Sequence, residues 1–146
     1  MKAIIQRVLK ASVVIEHHQK RSIDQGLLIL VGVGKEDVSK DAIQLADKIL
    51  NLRIFSKNDK MNDSVLDIKG SLLIVSQFTL YADCKRGNRP SFINAAPPVH
   101  AKKIYNEFVN YIYQQNINCE SGIFGAQMEV SLVNDGPVTL IMDTKE

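Results

Sequence analysis

The sequence is poor in the residues from which disulfide frameworks and metal sites are built. It has two cysteines, Cys84 and Cys119, no tryptophan and four prolines among 146 residues. Neither cysteine has a cysteine or histidine partner at zinc-site spacing, so we expect two free thiols. The adjacent His17 and His18 would point to opposite faces of a strand, which argues against a shared metal ion. We therefore predict neither a metal nor a cofactor.

An excess of one charge and a long apolar run are also missing. Eighteen Lys and Arg residues stand against 16 Asp and Glu, a net charge of +2. The chain is therefore no general polyanion binder, and a nucleic acid would have to be held locally. The longest apolar run, residues 27–33, is far shorter than the roughly 18 to 20 residues of a membrane span. The first ten residues lack the apolar centre of a signal peptide, and we expect a soluble, cytoplasmic protein.

The apolar patterns predict an α/β fold with mixed and antiparallel strands and two main helices. Residues 2–16 suggest two strands, and residues 26–34 a strand buried on both faces. One helix is expected to begin with Ser39 as its N-cap, and a second to span residues 99–116. The polar segment 56–64 is predicted to be a loop. At this length, residues 1–146 are expected to form a single domain.

Gly32 and Gly34 lie at the end of the predicted buried strand and suggest a dinucleotide-binding motif. The third glycine of that motif is absent, and charged residues follow directly. We therefore reject a dinucleotide site at this position.

Two stretches depart from the patterns around them. Residues 76–80 (SQFTL) place polar side chains in a run that otherwise resembles core. Residues 134–139 (NDGPVT) resemble a hairpin turn between two strands, except that Pro137 follows Gly136 where the second strand should begin. We hypothesise that the two stretches form one site.

Neither stretch contains a histidine, and the chain has no GxSxG motif. The groups on offer are the Ser76, Gln77 and Thr79 side chains and main-chain amides, which suit stabilisation of an oxyanion on an activated acyl group. In a regular strand, Gln77 and Thr79 would face away from Ser76 and Phe78. Either a bulge breaks this alternation, or the Phe78 and Thr79 amides face the substrate. The alternative is that Gln77 and Thr79 are buried polar side chains paired with neighbours.

Lys85, Arg86 and Arg89 form the densest basic cluster. They lie in a predicted loop of about sixteen residues, 83–98, a length typical of functional loops. The cluster is either a solvated loop or a grip on phosphate.

Together these residues resemble the D-aminoacyl-tRNA deacylase family. The SQFTL and NDGPVT stretches are similar to its two hallmark motifs, and the likeness extends to residues 6–8, 89–92 and 122–128. The resemblance implies a three-layer α/β/β fold and a homodimer with two sites at the subunit interface. It also implies hydrolysis of the ester of a tRNA that carries a D-amino acid.

The same resemblance implies roles for individual residues. Gly136 and Pro137 would be a cis pair inserted beside the 76–80 motif of the partner subunit, with Arg7 supporting the loop. The implied catalytic residues are Ser76, Gln77, Phe78 and Thr79. The implied substrate-binding and chirality-selecting residues are Arg7, Met128, Asn134, Gly136 and Pro137. The implied tRNA contacts are Lys85, Arg86 and Arg89.

Exclusion by a main-chain wedge would reject an L side chain yet admit glycine, so we expect glycyl-tRNA to be cleaved too. Two chemical routes stay open: attack by Thr79, or attack by water assisted by the 2'-hydroxyl of the terminal adenosine. Thr79 has no neighbouring base, which favours the second route. A dimeric, non-catalytic module that binds RNA ends and a small-molecule esterase are the alternative functions.

Overall fold

The structure is a computed structural model that describes residues 1–146, except for the side chain of Lys57. The described residues form eight strands, two α-helices and one 3₁₀ turn. In chain order these are β1 (Lys2–Ile15), β2 (Gln19–Ile23), β3 (Gly26–Gly32), α1 (Ser39–Leu50), β4 (Phe55–Lys57), β5 (Lys60–Asp63), β6 (Ser71–Ser76), the 3₁₀ turn (Phe78–Tyr81), α2 (Pro98–Tyr113), β7 (Asn118–Ser121) and β8 (Met128–Asp143).

The main sheet is mixed, as predicted. Its order is β2-β1-β3-β6-β7, with β8 paired to β1. Strand β1 runs antiparallel to β2, β3 and β8, whereas β3, β6 and β7 are parallel neighbours. Because β3 and β6 are parallel, their carboxyl ends, at Gly32 and Ser76, meet at one edge of the sheet, where open α/β sheets place their ligands.

Two apolar clusters cover the two faces of this sheet. The first packs both helices against Ile5, Ile29 and Ile74, and the second lies on the opposite face around Leu28 and Leu73. Strand β1 contributes buried side chains from its first half to the first cluster and from its second half to the other, so it takes part in both apolar layers. Helices, central sheet and folded-over strands make three layers, which confirms the α/β/β prediction.

The predicted break in the first strand and the predicted terminal hairpin are both wrong. Strand β1 is continuous through residues 2–15, and β8 is continuous through residues 128–143, including Gly136 and Pro137. Both halves of β8 pair with β1 in the same direction, with register shifts between Gln6 and Val8 and between Val8 and Lys10. The polar stretch in each strand is therefore an irregularity within one ladder, not a change of chain direction.

Two local predictions also need correction. Ser39 is the first residue of α1 rather than its N-cap, because the Val38 N–H donates to the Asp41 carboxylate at 2.8 Å and fixes the cap one residue earlier. The polar segment 56–64 contains the β4–β5 hairpin. Asn58 and Asp59 both have positive φ angles, the conformation that two-residue hairpin turns require and that Asn and Asp tolerate.

Cys84 and Cys119 are free thiols, as predicted. Neither α1 nor α2 is long and apolar enough to cross a membrane. Among the described residues, no group of three His, Cys, Asp or Glu side chains could hold a metal ion.

Candidate active site

Residues 76–80 leave the sheet at the carboxyl edge of β6. The Gln77 N–H still donates to Val31 O at 2.7 Å, after which the chain enters the 3₁₀ turn. The predicted alternation therefore ends at Gln77 because the strand ends there. Thr79 is exposed and accepts a hydrogen bond from the Gln77 side-chain amide, so the alternative that it is a buried polar residue is wrong.

The main-chain amides at the start of this turn are free donors. Among the described hydrogen bonds, none uses the Phe78 or Thr79 N–H. The first N–H groups of a helical turn have no partner within it. Two adjacent amides are thus available beside the motif.

The motif forms one wall of a cavity of about 590 Å³. Ser76, Gln77 and Phe78 line it, and Met128 lines it from the start of β8. A Cβ atom on Gly122 would overlap the Met128 sulfur, so this glycine makes room for the thioether. The structure thus brings four of the predicted site residues together.

Aromatic side chains that the sequence did not single out shape the rest of the cavity. Phe92 packs edge-on against Phe78 with ring centroids 5.1 Å apart, and Phe124 lies 5.8 Å from Tyr105. The only signal for Phe92 and Phe124 was their place in two segments that resemble the deacylases.

The described residues that line the cavity include no acid or base that could exchange a proton near neutral pH. Of its described lining residues only Tyr105 can ionise, and burial raises the pKa of its phenol. Tyr105 therefore stays a neutral hydroxyl, which donates to Ile74 O at 3.4 Å. The site can orient and polarise a substrate with hydrogen bonds, but it has no side chain to carry a proton at neutral pH.

The 3₁₀ turn packs closely against Gly32 and Gly34. A Cβ on Gly32 would lie 2.9 Å from Gln77 O, and one on Gly34 would lie 2.7 Å from the Tyr81 ring. The Tyr81 hydroxyl donates to the buried Asp37 carboxylate at 3.0 Å, and the Gly34 N–H donates to the same oxygen at 2.6 Å. Gly32 and Gly34 therefore serve to let the 3₁₀ turn of the candidate site pack closely, rather than to bind a dinucleotide.

The second motif is a loop-like bulge within β8, and the Arg7 side chain supports it. Residues 135–138 bulge from β8 opposite this single residue of β1. The Arg7 side chain, in a residue only 8% exposed, donates to Ile54 O at 2.6 Å, to Asp135 O at 3.3 Å, and pairs with the Asp135 carboxylate at 3.0 Å. Arg7 is therefore a buried residue rather than an exposed strand arginine.

Asn134 closes the base of the same loop. Its side-chain amide donates to Arg7 O and to Val138 O, both at 2.9 Å. The Gly136–Pro137 peptide bond is cis, as the resemblance implies. Gly136 and Pro137 are exposed, and neither lines the 590 Å³ cavity of its own chain. Within one chain, the two motifs remain separate.

The basic cluster divides between two environments. All three residues are exposed, and Lys85 also lines a second cavity that Arg86 and Arg89 do not line. All three follow the 3₁₀ turn in the loop that leads to α2.

Comparison with known proteins identifies the family. The family model described as D-Tyr-tRNA(Tyr) deacylase matches residues 4–143. The chain belongs to the D-Tyr-tRNA(Tyr) deacylase family. A D-aminoacyl-tRNA deacylase from Thermosipho africanus is 58% identical, with 100% of this chain and 99% of that protein covered. A protein of the same name from Clostridium perfringens is 49% identical over the same shares.

Solved structures agree with this deacylase family fold. A c-Myc DNA unwinding element binding protein is 38% identical with a TM-score of 0.91, and 98% of each chain is covered. A probable eukaryotic D-amino acid tRNA deacylase has a TM-score of 0.83 at 14% identity, with 97% of each chain covered. The second likeness concerns the fold alone.

Removing the Arg7 guanidinium should release the loop. We expect Arg7→Met to lower the free energy of unfolding by about 2–3 kcal/mol, because the buried Ile54 carbonyl and the Asp135 carbonyl lose their donor. The matched variant Asp135→Asn keeps both carbonyl bonds and should cost under about 1 kcal/mol, since its carboxylate is partly exposed. Urea denaturation of both variants measures the difference. Equal losses would contradict the anchoring role of Arg7.

Proposed function

We propose that this chain hydrolyses the ester bond of D-aminoacyl-tRNA to a D-amino acid and free tRNA, with residues 1–146 acting as one deacylase domain. The observation that carries the proposal is the cavity beside Ser76, Gln77 and Phe78, which offers hydrogen-bond donors and no acid or base. Such a site suits an acyl group that is already activated, and the ester of an aminoacyl-tRNA is one. The named relatives carry the same activity in their names. This substrate implies a cytoplasmic location.

Two copies of the chain complete the site in this proposal. The exposed tip at Gly136 and Pro137 has no place in its own cavity, and the motif cavity is open. Strand β8 pairs with β1 along one edge, and the described residues offer no strand for its other edge. A 16-residue strand with an open edge is a template for pairing with another chain. An isologous dimer would carry each tip to the cavity of its partner.

Selection against L-amino acids then follows from the rigidity of the tip. Bonds from Arg7 and Asn134 fix the main chain on both sides of Gly136, so the tip cannot move aside for a side chain. A fixed main-chain surface tests the configuration at Cα without reading which side chain is attached. Selectivity arises by excluding the wrong isomer rather than by binding the right one more tightly.

The chemical step draws on main-chain amides and on the substrate. The free Phe78 and Thr79 N–H groups are suited to hold the oxyanion of the tetrahedral intermediate. The Thr79 hydroxyl accepts a hydrogen bond from the Gln77 side-chain amide. Because an amide donor cannot remove the hydroxyl proton, Thr79 lacks an activating base. We therefore assign activation of the attacking water to the neighbouring 2'-hydroxyl of the terminal adenosine.

The remaining predicted residues bind the substrate. Met128 lines the cavity and contributes an apolar wall. Lys85, Arg86 and Arg89 are exposed on the loop after the 3₁₀ turn, where they would contact tRNA phosphates.

The function is tested with three substrates on one tRNA. We expect D-tyrosyl-tRNA and glycyl-tRNA to be cleaved, and L-tyrosyl-tRNA to be cleaved at least about a hundredfold more slowly because its side chain meets the tip. Initial rates of release of the labelled amino acid measure this. An RNA-end-binding module would cleave none of the three, and a simple esterase would cleave free amino acid esters equally well.

The chemical route is tested by removing each hydroxyl in turn. We expect Thr79→Ala and Thr79→Ser to stay within about tenfold of the wild-type rate, since neither variant removes a nucleophile. A tRNA with a 2'-deoxy terminal adenosine should react at least about a hundredfold more slowly, because it lacks the assisting group. Single-turnover rates report the chemical step. Loss of activity in Thr79→Ala alone, with the 2'-deoxy substrate unaffected, would transfer the role to Thr79.

The shared site is tested by mixing subunits. We expect Phe78→Asp, in the motif, and Pro137→Asp, at the tip, to be inactive alone, because each puts a carboxylate beside the reacting ester. Refolding equal amounts together should restore about a quarter of the wild-type rate per chain, since half of the dimers are mixed and each mixed dimer has one intact site. A mixture without recovery, or a fully active Pro137→Asp, would contradict the shared site.

A further inference from the structure

A second cavity lies at the other end of the 3₁₀ turn. Its volume is about 620 Å³, and its lining includes Lys2, Tyr81, Lys85 and Asn94. Phe78, the first residue of the turn, lines the first cavity, whereas Tyr81, the last, lines the second. A 3₁₀ helix rises about 2 Å per residue, so the two walls lie about 6 Å apart along its axis. That separation is within the reach of one nucleotide of a single strand.

The two cavities differ in charge. Among the described residues, no cation lines the first cavity, whereas Lys2 and Lys85 line the second. The carboxylate of Asp83 also lines the second cavity, where it accepts the Lys85 N–H at 2.9 Å. The Asn94 amide adds a neutral donor. The second cavity therefore presents two ammonium groups, one amide and one carboxylate, and its two cations suit contact with a phosphodiester.

Lys2 keeps its hydrogen-bonding capacity while being held in place. Its ammonium lies 5.3 Å from the centre of the Tyr81 ring and 3.6 Å from the Asp143 carboxylate. The second distance is too long for a hydrogen bond, so the three N–H donors of the ammonium remain available. Contacts with the Tyr81 ring and the Asp143 carboxylate therefore orient the Lys2 side chain without using its hydrogen-bond donors.

We propose that the second cavity binds the phosphodiester next to the terminal adenosine of the tRNA, with Lys2 and Lys85 as its cationic contacts. The assignment rests on the proposed function, which puts the aminoacylated nucleoside in the first cavity. A tRNA 3' end that leaves the first cavity and crosses the 3₁₀ turn reaches the second cavity within one nucleotide. Lysine recognises phosphate by charge alone, so this grip would be independent of tRNA sequence.

The test compares two substrates that share the same ester. D-tyrosyl-tRNA carries the phosphodiester, whereas D-tyrosyl-adenosine carries none. We expect Lys2→Gln and Lys85→Gln each to raise KM for the tRNA about fivefold, with kcat unchanged and with no change for the nucleoside ester. The slope of log KM against log salt should fall by about 0.7 per variant, the value for one phosphate contact on a single strand.

Two variants serve as controls. Lys40→Gln removes an exposed lysine from α1 and should change neither substrate. Asp143→Asn breaks the ion pair of Lys2 while keeping its ammonium, and should not raise KM.

Each remaining result would overturn the assignment. Equal effects of Lys2→Gln on both substrates would show that it acts through the 3₁₀ turn. An unchanged KM for tRNA in both lysine variants, with an active wild type, would overturn the phosphate site alone. A wild type that cleaves neither ester would overturn the proposed function and this site with it.

Discussion

The buried guanidinium of Arg7 holds together the one place where the long β1–β8 ladder loses its register. Four residues of β8 bulge opposite this single residue. Without hydrogen bonds from neighbouring side chains, such a bulge would be a flexible break in the ladder. Arg7 ties the Asp135 main chain to Ile54, in the segment that follows α1. Asn134 closes the bulge on the other side. An irregularity in a strand thereby becomes a rigid projection with a defined position.

The other motif gains its position from different forces. Its polar groups stand where β6 ends, and the turn that follows is seated on two glycines and fastened through Tyr81 to Asp37. In the proposed mechanism, the protein supplies shape and main-chain donors, and the substrate supplies the group that assists proton transfer. Apart from the neutral Tyr105, the described lining of the cavity has no ionisable side chain, which is consistent with that mechanism because a buried charge there would need a partner of its own.

Much of the fold could be predicted because apolar periodicity dictates it. The inward stripe of α1 and the buried strand β3 follow directly from their spacing. The path of β8 could not be predicted, because Asp-Gly-Pro between apolar runs favours a reversal locally. Only the pairing of both halves with β1, a contact between residues more than a hundred positions apart, keeps the chain straight. Long-range register of this kind has no local signal.

The same limit applied to the candidate site. The motif residues were found because polar groups stood out in apolar runs, whereas Phe92 and Phe124 look like ordinary loop residues until the fold brings them to the cavity. In the sequence, Gly32 and Gly34 resemble only an incomplete dinucleotide-binding motif. Their contribution is the space they leave: a methyl group at Gly32, where β3 ends, would reach the Gln77 carbonyl, and one at Gly34 would reach the Tyr81 ring. The shape of this site therefore depends in part on the absence of side chains at Gly32 and Gly34. A survey of the groups that face the cavity would not reveal that dependence.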